Sequence, residues 1–249
     1  MLFTDTAFVG INLNSSNKHF IYTLLDKNLN LVALGQGDLG DISALVAGQQ
    51  MATVAINSPA NVSHGLVAEK ISITKKAKKT EFRLAEYQLQ KHGIKILGTP
   101  SDEQKCSSSL RMGFLLYRKL EEMGFKKYTN ESPPYQYLET QPHASFCCLA
   151  GGVPLSKSTI EGRIQRQLIL YEHGVRIKDP MDFFEEITRH KMMKGIWPYE
   201  LLYTPEQLNA LVAAYTAWLV VNKPDQTLSI GNEQEGKIFL PVSELKEKY

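Results

Sequence analysis

The chain has 249 residues and a formal net charge of +2, with 43% hydrophobic and 22% charged residues. These values are typical of a globular protein, and a charge so close to zero gives no general argument for binding nucleic acid or a membrane surface. The cysteines, Cys106, Cys147 and Cys148, match neither a disulfide framework nor a zinc-binding spacing, which favours a reducing compartment. The first residues lack the features of a signal peptide, and the longest apolar run, residues 210–221, is too short for a bilayer of roughly 30 Å. We therefore expect a soluble, cytoplasmic protein that does not enter a membrane.

The N-terminal part of the chain is predicted to form three short strands joined by turns. These strands cover residues 7–13, 18–25 and 31–34. Tight connections between consecutive strands indicate an antiparallel meander. A short helix at residues 41–49 follows, with Asp41 as its N-cap. The apolar strand predicted at residues 52–59 has a composition that suits burial on both faces.

The rest of the chain alternates helices with short strands. Helices are predicted at residues 80–91, 110–123, 142–149, 158–173, 182–191 and 205–221, and strands at residues 94–97, 135–139 and 237–240. Ser158 and Glu161 match the pattern of a capping box at one helix start. A meander followed by alternating helices and strands predicts an α/β fold with a mixed sheet flanked by helices. We expect residues 1–249 to form a single domain with helical insertions.

Three local motifs have competing interpretations. The segment GGVPLSKS, residues 151–158, partly matches a phosphate-binding loop, but Ser156 replaces the second glycine and Pro154 removes an N–H donor. We expect a loop that ends in a helix cap. His143 is either a catalytic base or metal neighbour, or a polar residue in the first turn of a helix. The basic run at residues 75–79 is either a solvated face or a nucleic-acid contact.

Several segments, taken in order and spacing, carry a resemblance to a known family. They are VGINL, AINSP, RLAEYQLQKHGI, YLETQPHASF, PLSKSTIEGRIQRQLIL, LNALVAAYTAW and GKIFLP. Together they resemble a family of uncharacterised bacterial and archaeal domains described as predicted nucleases with an RNase H-like fold. The resemblance covers most of the chain. It implies an RNase H-like mixed sheet, with an antiparallel three-strand meander plus parallel strands.

The resemblance also implies a set of site residues. Where the family carries aspartates on the first strand, the fourth strand and the late helix, this sequence has Asn12, Asn57 and Asn209. With Glu139 of the LETQP segment, these asparagines would occupy the catalytic positions, and Glu139 would be the metal ligand. The remaining residues that match the family pattern, and would contact substrate, are Arg83, Glu86, Lys157, Arg163 and Arg166.

The three asparagines weaken the implied metal chemistry. Two-metal phosphodiester hydrolysis places two divalent cations close together, and Mg²⁺ is bound mainly through carboxylates and phosphate oxygens. An asparagine keeps a carbonyl oxygen but lacks the negative charge. We therefore expect Mg²⁺ or Mn²⁺ binding to be weak or absent.

The sequence is compatible with three functions. The first is a degenerate nuclease relative with reduced or no phosphodiesterase activity that still binds nucleic acid or a nucleotide. The second is an active metal-dependent nuclease with a sparse site, and the third is a structural or interaction protein. The sequence decides neither whether the chain is an enzyme nor its oligomeric state.

Overall fold

The computed structural model describes residues 5–13, 19–67, 82–129 and 133–249. Its strands are β1 (Ala7–Leu13), β2 (Phe20–Leu25), β3 (Leu31–Gly37), β4 (Ala52–Asn57), β5 (Lys126–Lys127), β6 (Tyr135–Thr140), β7 (Leu228–Asn232) and β8 (Gly236–Leu240). Its α-helices are α1 (Leu39–Ala47), α2 (Leu84–Lys91), α3 (Ser108–Glu122), α4 (Pro142–Ala150), α5 (Ile160–Glu172), α6 (Asp182–Glu186), α7 (Arg189–Met193) and α8 (Pro205–Asn222). None of these helices has the length and hydrophobicity needed to span a membrane.

The strands form one mixed sheet in the order β3-β2-β1-β4-β6-β8-β7, with β5 paired to β6. β1, β2 and β3 form the predicted antiparallel meander. β4 lies parallel to β1, β6 lies parallel to β4, and β8 lies parallel to β6. The predicted mixed α/β sheet is confirmed. As a result, the C-terminal ends of β1, β4 and β6 meet at one edge of the sheet.

Helices cover both faces of the central strands. Because successive side chains of a strand point to opposite faces, the central strands contribute to two separate cores. Phe8, Ala55 and Leu138 pack against α8. Ile11 and Ile56 pack on the other face against α1 and α3. This double coverage explains why β1 and β4 are apolar along almost their whole length.

Gly10 allows α8 to lie directly on β1. A Cβ atom at this position would stand 2.0 Å from the carbonyl oxygen of Ala210 and 2.4 Å from the amide nitrogen of Ala214. Such distances lie well inside van der Waals contact, so only glycine fits here without a shift of backbone. The close approach sets the position of α8 relative to the end of β1.

Several predicted elements differ from the structure. Residues 94–97 form no strand; Ile94 is buried against α2, while the Ile96 carbonyl accepts a hydrogen bond from Gln90. The helix predicted at residues 182–191 is two short helices, because extended backbone at Thr188 interrupts the helix and its side chain caps α7.

Two predicted helix caps also differ from the structure, and α2 and α3 begin at Leu84 and Ser108 instead of residues 80 and 110. α1 is capped by Asp38, and Asp41 is its partner in a capping box. Thr159, and not Ser158, caps α5. Strands β5 and β7 were not predicted. Residues 18, 75–79 and 80–81, which include the basic run, lie outside the described part of the chain.

Candidate functional site

The side chains of Asn12, Asn57 and Asn209 contact one another at the C-terminal edge of the sheet. Asn12 lies near the end of β1, Asn57 ends β4, and Asn209 lies in the second turn of α8. Asn57 Nδ2 donates to Asn12 Oδ1 over 2.7 Å, and Asn209 Nδ2 donates to the same oxygen over 3.3 Å. The structure therefore brings together three residues that are far apart in sequence. We call this group the amide cluster.

Two members of the amide cluster, Asn57 and Asn209, line a cleft of about 450 Å³. Asn12, the third member, is 3% exposed and does not line the cleft. The loop before α5, which carries Lys157, and the start of α4 also line it. The lining side chains include lysine, arginine and histidine but no carboxylate among the residues that the structure describes. The cleft therefore favours an anionic ligand.

Arg166 fixes the position of the loop before α5, which lines the cleft. Its Nη1 atom donates to the Leu155 carbonyl over 2.6 Å and to the Gly162 carbonyl over 2.9 Å. Its guanidinium also lies over the ring of Phe146, 5.5 Å from the centroid. The side chain is 4% exposed, so it contributes a fixed positive charge to the cleft. Lys157, in contrast, is exposed on the loop.

His143 lines the cleft and lies in the first turn of α4. Gln141 caps this helix by accepting from the backbone N–H groups of His143 and Ala144. Burial lowers the pKa of His143, and the positive charges of Arg166 and Lys157 lower it further. The imidazole is therefore neutral near pH 7, and its Nε2 atom lies 3.9 Å from the thiol of Cys147.

Arg163 takes no part in the cleft. Its Nε atom donates to the Tyr203 carbonyl and its Nη2 atom to the Leu202 carbonyl, both over 2.9 Å. The guanidinium lies over the ring of Tyr199. Arg163 thus anchors the segment before α8, whereas the sequence prediction grouped it with Lys157 and Arg166.

The structure separates Glu139 from the asparagines. Glu139 pairs in register with Ile56, not with Asn57, so its side chain points to the opposite face of the sheet from the amide cluster. There Arg83 donates to both carboxylate oxygens, and the Ala60 N–H donates to Oε2 over 3.0 Å. The expected grouping of Glu139 with Asn12, Asn57 and Asn209 is not found.

Glu139 belongs instead to a buried network around Arg83. Arg83 also donates to Glu86 over 2.9 Å, and Thr99 donates to both oxygens of Glu86. The carboxylate of Glu235 accepts from the backbone N–H groups of His64 and Leu84. We call Arg83, Glu86, Glu139 and Glu235 the Arg83 network. Arg83 and Glu86, predicted to contact substrate, are thus 1% and 3% exposed.

Opposing effects set the ionisation of the Arg83 network. Burial raises the pKa of Glu139, and the charge and hydrogen bonds of Arg83 oppose that rise. Burial alone would lower the pKa of Arg83, but the adjacent Glu139 and Glu86 raise it, and the net shift is upward. The direct, doubly hydrogen-bonded contact is that of an ionised pair. The network therefore connects β6, α2 and the β7–β8 turn by charge-assisted hydrogen bonds.

Neither group of residues suits a pair of divalent cations. The amide cluster offers neutral oxygens, and one of them already accepts two hydrogen bonds. The carboxylates of the Arg83 network are occupied by N–H and O–H donors. Over the described ranges, no group of three or more His, Cys, Asp or Glu side chains is placed to hold a metal ion. Hard divalent cations prefer carboxylate ligands, so the donor set at the cleft does not fit them.

Two residues of these sites were not among the site residues predicted from the sequence. His143 was left open as a site residue, and its position in the cleft depends on how α4 leaves β6. Glu235 was not singled out, because an acidic residue in a polar hairpin turn has no distinctive spacing. Its burial arises only where the β7–β8 turn meets α2.

Comparison with known proteins places the chain in a family. A family model described as "Protein of unknown function (DUF429)" matches residues 26–236. No curated protein and no solved structure gives a significant match.

Proposed function

The chain belongs to the family of proteins of unknown function DUF429, and we propose that it is an RNase H-like domain that binds nucleic acid without divalent cations. The ligand's phosphate groups would occupy the cleft beside the amide cluster. The observation that carries this proposal is the composition of the cleft, which is lined by the neutral amides of Asn57 and Asn209 together with Lys157 and Arg166 and by no carboxylate of the described residues.

The strand order supports the RNase H-like assignment. A three-strand antiparallel meander continues through β1 into the parallel strands β4 and β6, which is the arrangement implied by the sequence resemblance. Ligands of open α/β sheets bind outside the carboxyl ends of the strands. The cleft lies at that position, next to the ends of β1 and β4. One fold hosts many unrelated activities, so the side chains of the cleft determine the ligand class.

The charges around the cleft favour phosphate over metal ions. Lys157 is exposed at the cleft, where its ammonium acts as a point charge toward a phosphate oxygen. Arg166 adds a buried positive charge behind the loop. The amides of Asn57 and Asn209 add neutral polar groups that do not repel an anion. Phosphodiester hydrolysis assisted by two metal ions would lack carboxylate ligands here, so we propose reduced or no nuclease activity.

The test is equilibrium binding of labelled oligonucleotides, followed by fluorescence anisotropy. Single-stranded RNA, single-stranded DNA and an RNA–DNA hybrid would each be measured with EDTA and with Mg²⁺ or Mn²⁺. We expect binding whose affinity in EDTA matches that in Mg²⁺. Loss of binding in EDTA, or no binding under any condition, would overturn the proposal.

A nuclease assay with restored carboxylates completes the test. The wild-type protein would be compared with the triple variant Asn12→Asp, Asn57→Asp and Asn209→Asp. We expect no metal-dependent cleavage by the wild type, and tighter Mn²⁺ binding by the variant because it regains negative charge. Metal-dependent cleavage by the wild type would show that amides suffice as ligands and that the second function, a sparse but active nuclease, is correct.

A further inference from the structure

A second cavity, separate from the cleft, opens where the sheet changes strand partners. β6 pairs with β5 at Gln136 and Tyr137 but with β8 at Glu139 and Thr140. Between these two pairings the sheet leaves a gap. The gap contains a cavity of about 310 Å³, which lies at the lower end of the range typical of small-molecule sites.

Four aromatic rings contribute to the cavity wall, beside polar and charged residues. Tyr117, Tyr128, Tyr137 and Phe239 all line it. Tyr117 and Tyr137 pack edge to face with centroids 5.2 Å apart, and Tyr128 and Phe239 do so at 5.5 Å. Such walls suit a planar ring, which can stack on one ring or approach its edge.

Hydrogen bonds hold the tyrosine rings in position. Tyr117 donates to the Ser58 carbonyl over 2.8 Å, and Tyr128 donates to the Val220 carbonyl over 2.9 Å. Tyr137 donates to the Glu121 carboxylate. Because each hydroxyl already has a partner, the rings are held in fixed positions around the cavity. A wall fixed in this way loses little conformational entropy when a ligand binds.

The charged groups around the cavity leave a net positive charge. Lys127, Lys237 and Glu233 line it, and Lys237 donates to the Glu233 carboxylate. The hydrogen bond and charge of Lys237 lower the pKa of Glu233, with a further contribution from nearby Lys127. Glu139 also lines the cavity, but its charge is paired with Arg83. Two lysines against one remaining glutamate leave one positive charge.

From this arrangement we infer that the cavity is a second binding site, for a planar aromatic ring that carries an anionic group. A nucleoside monophosphate and an aromatic carboxylate share this chemistry. The ring would lie against Tyr128 and Phe239, and the anion would lie near Lys127. This inference does not depend on the function proposed for the cleft.

Isothermal titration calorimetry on the full chain tests the ligand class. The probes are AMP, indole-3-acetate, adenosine and ribose 5-phosphate. We expect saturable binding of a probe that has both ring and charge, and adenosine binding weaker by up to about fivefold, the range of an exposed ion pair. AMP or indole-3-acetate as the tighter ligand distinguishes the two sources. No saturable binding of either at about 1 mM would overturn the inference.

Two matched pairs of variants locate the bound probe. Ser229 lines the cavity and is exposed, so Ser229→Trp should fill the space and abolish binding, whereas Ser243→Trp, at an exposed serine outside it, should not. Lys127→Glu should spare adenosine but weaken binding of the charged probes by more than the factor that separates them from adenosine, because it removes an attraction and adds a repulsion. Lys126→Glu makes the same charge change on the neighbouring residue, which does not line the cavity, and should have little effect.

The same variants separate this site from the cleft. If Lys157→Ala removes AMP binding while Ser229→Trp and Lys127→Glu leave it intact, AMP binds in the cleft and the inference fails. If oligonucleotide binding fails but the Ser229→Trp pair behaves as expected, only the function proposed for the cleft fails. Circular dichroism of each variant confirms that it is folded.

Discussion

At the residue scale, the Arg83 network shows how local pairing decides the role of a charged side chain. Glu86, Glu139 and Glu235 are each buried, and each accepts hydrogen bonds at both carboxylate oxygens. Arg83 is the cation that contacts two of them directly. Arg83, Glu86 and Glu139, which the sequence predicted as site residues, are therefore paired with one another inside the structure.

Removing Arg83 should destabilise the protein strongly. Arg83→Met would leave Glu86 and Glu139 buried without their cation, and breaking a buried pair in this way costs about 3–5 kcal/mol of the free energy of unfolding. Urea denaturation followed by circular dichroism measures the change. Arg111→Met, at an exposed arginine of α3, is the control and should change the free energy by less than about 0.5 kcal/mol. Equal effects of the two variants would contradict the interpretation.

His143 should make ligand binding in the cleft depend on pH. Its pKa is lowered in the folded protein by burial, Arg166 and Lys157, so the free protein resists protonation there. A bound phosphate group would favour the imidazolium, and binding would then take up a proton. Affinity should therefore rise as the pH falls from 8 through the ordinary histidine pKa of about 6.5.

A fall in pH should lower the stability of the protein, although it raises the affinity for the ligand. Because the unfolded chain binds the His143 proton more readily, the stability contributed by this residue is present above pH of about 6.5 and decreases as the pH falls below it.

Oligonucleotide titrations at several pH values check the binding effect, with His143→Gln as the variant that should flatten the profile. An unchanged profile in that variant would assign the proton to another group.

At the scale of secondary structure elements, the contact between β1 and α8 positions the amide cluster. Gly10 lets the two backbones touch, and Asn12 follows it by two residues on the same face of β1. The register between β1 and β4 then aligns Asn12 with Asn57. A small displacement of α8 would separate Asn209 from this pair.

Substituting Gly10 should therefore affect both stability and the cleft. Gly10→Ala forces a Cβ against the backbone of α8, and overpacking of this kind costs about 1–3 kcal/mol or more. The midpoint temperature of thermal denaturation and the oligonucleotide affinity should both decrease. Gly152→Ala is the matched control, because a Cβ there meets no atom within 4 Å and the backbone is not in the left-handed region. A Gly10→Ala protein as stable as the control would contradict the close contact.

The sequence predicted element types better than it predicted which side chains meet. Periodicity and turn residues identified the meander and the long helices, because these depend on local patterns. The convergence of Asn12, Asn57 and Asn209 followed from the resemblance, which placed the strand ends and α8 in one cleft. The face on which Glu139 lies was not predictable, because it depends on the register between β4 and β6. The short strand β5 and the buried Glu235 likewise depend on contacts between distant segments.

At the scale of the whole molecule, the net charge of +2 makes the cleft more important than the general surface for an anionic ligand. A protein with balanced charge attracts nucleic acid weakly at long range. Affinity should therefore come from a small number of local contacts. The salt dependence of binding reports how many phosphates are neutralised.

Lys157→Ala should reduce the salt dependence of single-stranded RNA binding. For single strands, each neutralised phosphate contributes a slope of about −0.7 in a plot of log K against log salt concentration. Loss of one phosphate contact should make the slope shallower by about 0.7. Lys95→Ala, at an exposed lysine that does not line the cleft, should leave the slope unchanged. Identical slopes for both variants would place the phosphate away from Lys157.

The hydrogen bonds of the amide cluster also bear on how this site can evolve. Asn12 accepts from both Asn57 and Asn209 through one oxygen, and a carboxylate at position 12 would accept the same two N–H groups. Asparagine and aspartate codons differ by one nucleotide, so Asn12→Asp is a single mutational step that keeps both donors satisfied. A second aspartate, at position 57 or 209, would instead remove a donor and set two negative charges side by side. Of the three positions, position 12 is therefore the one where an aspartate would keep the hydrogen bonds that join the cluster.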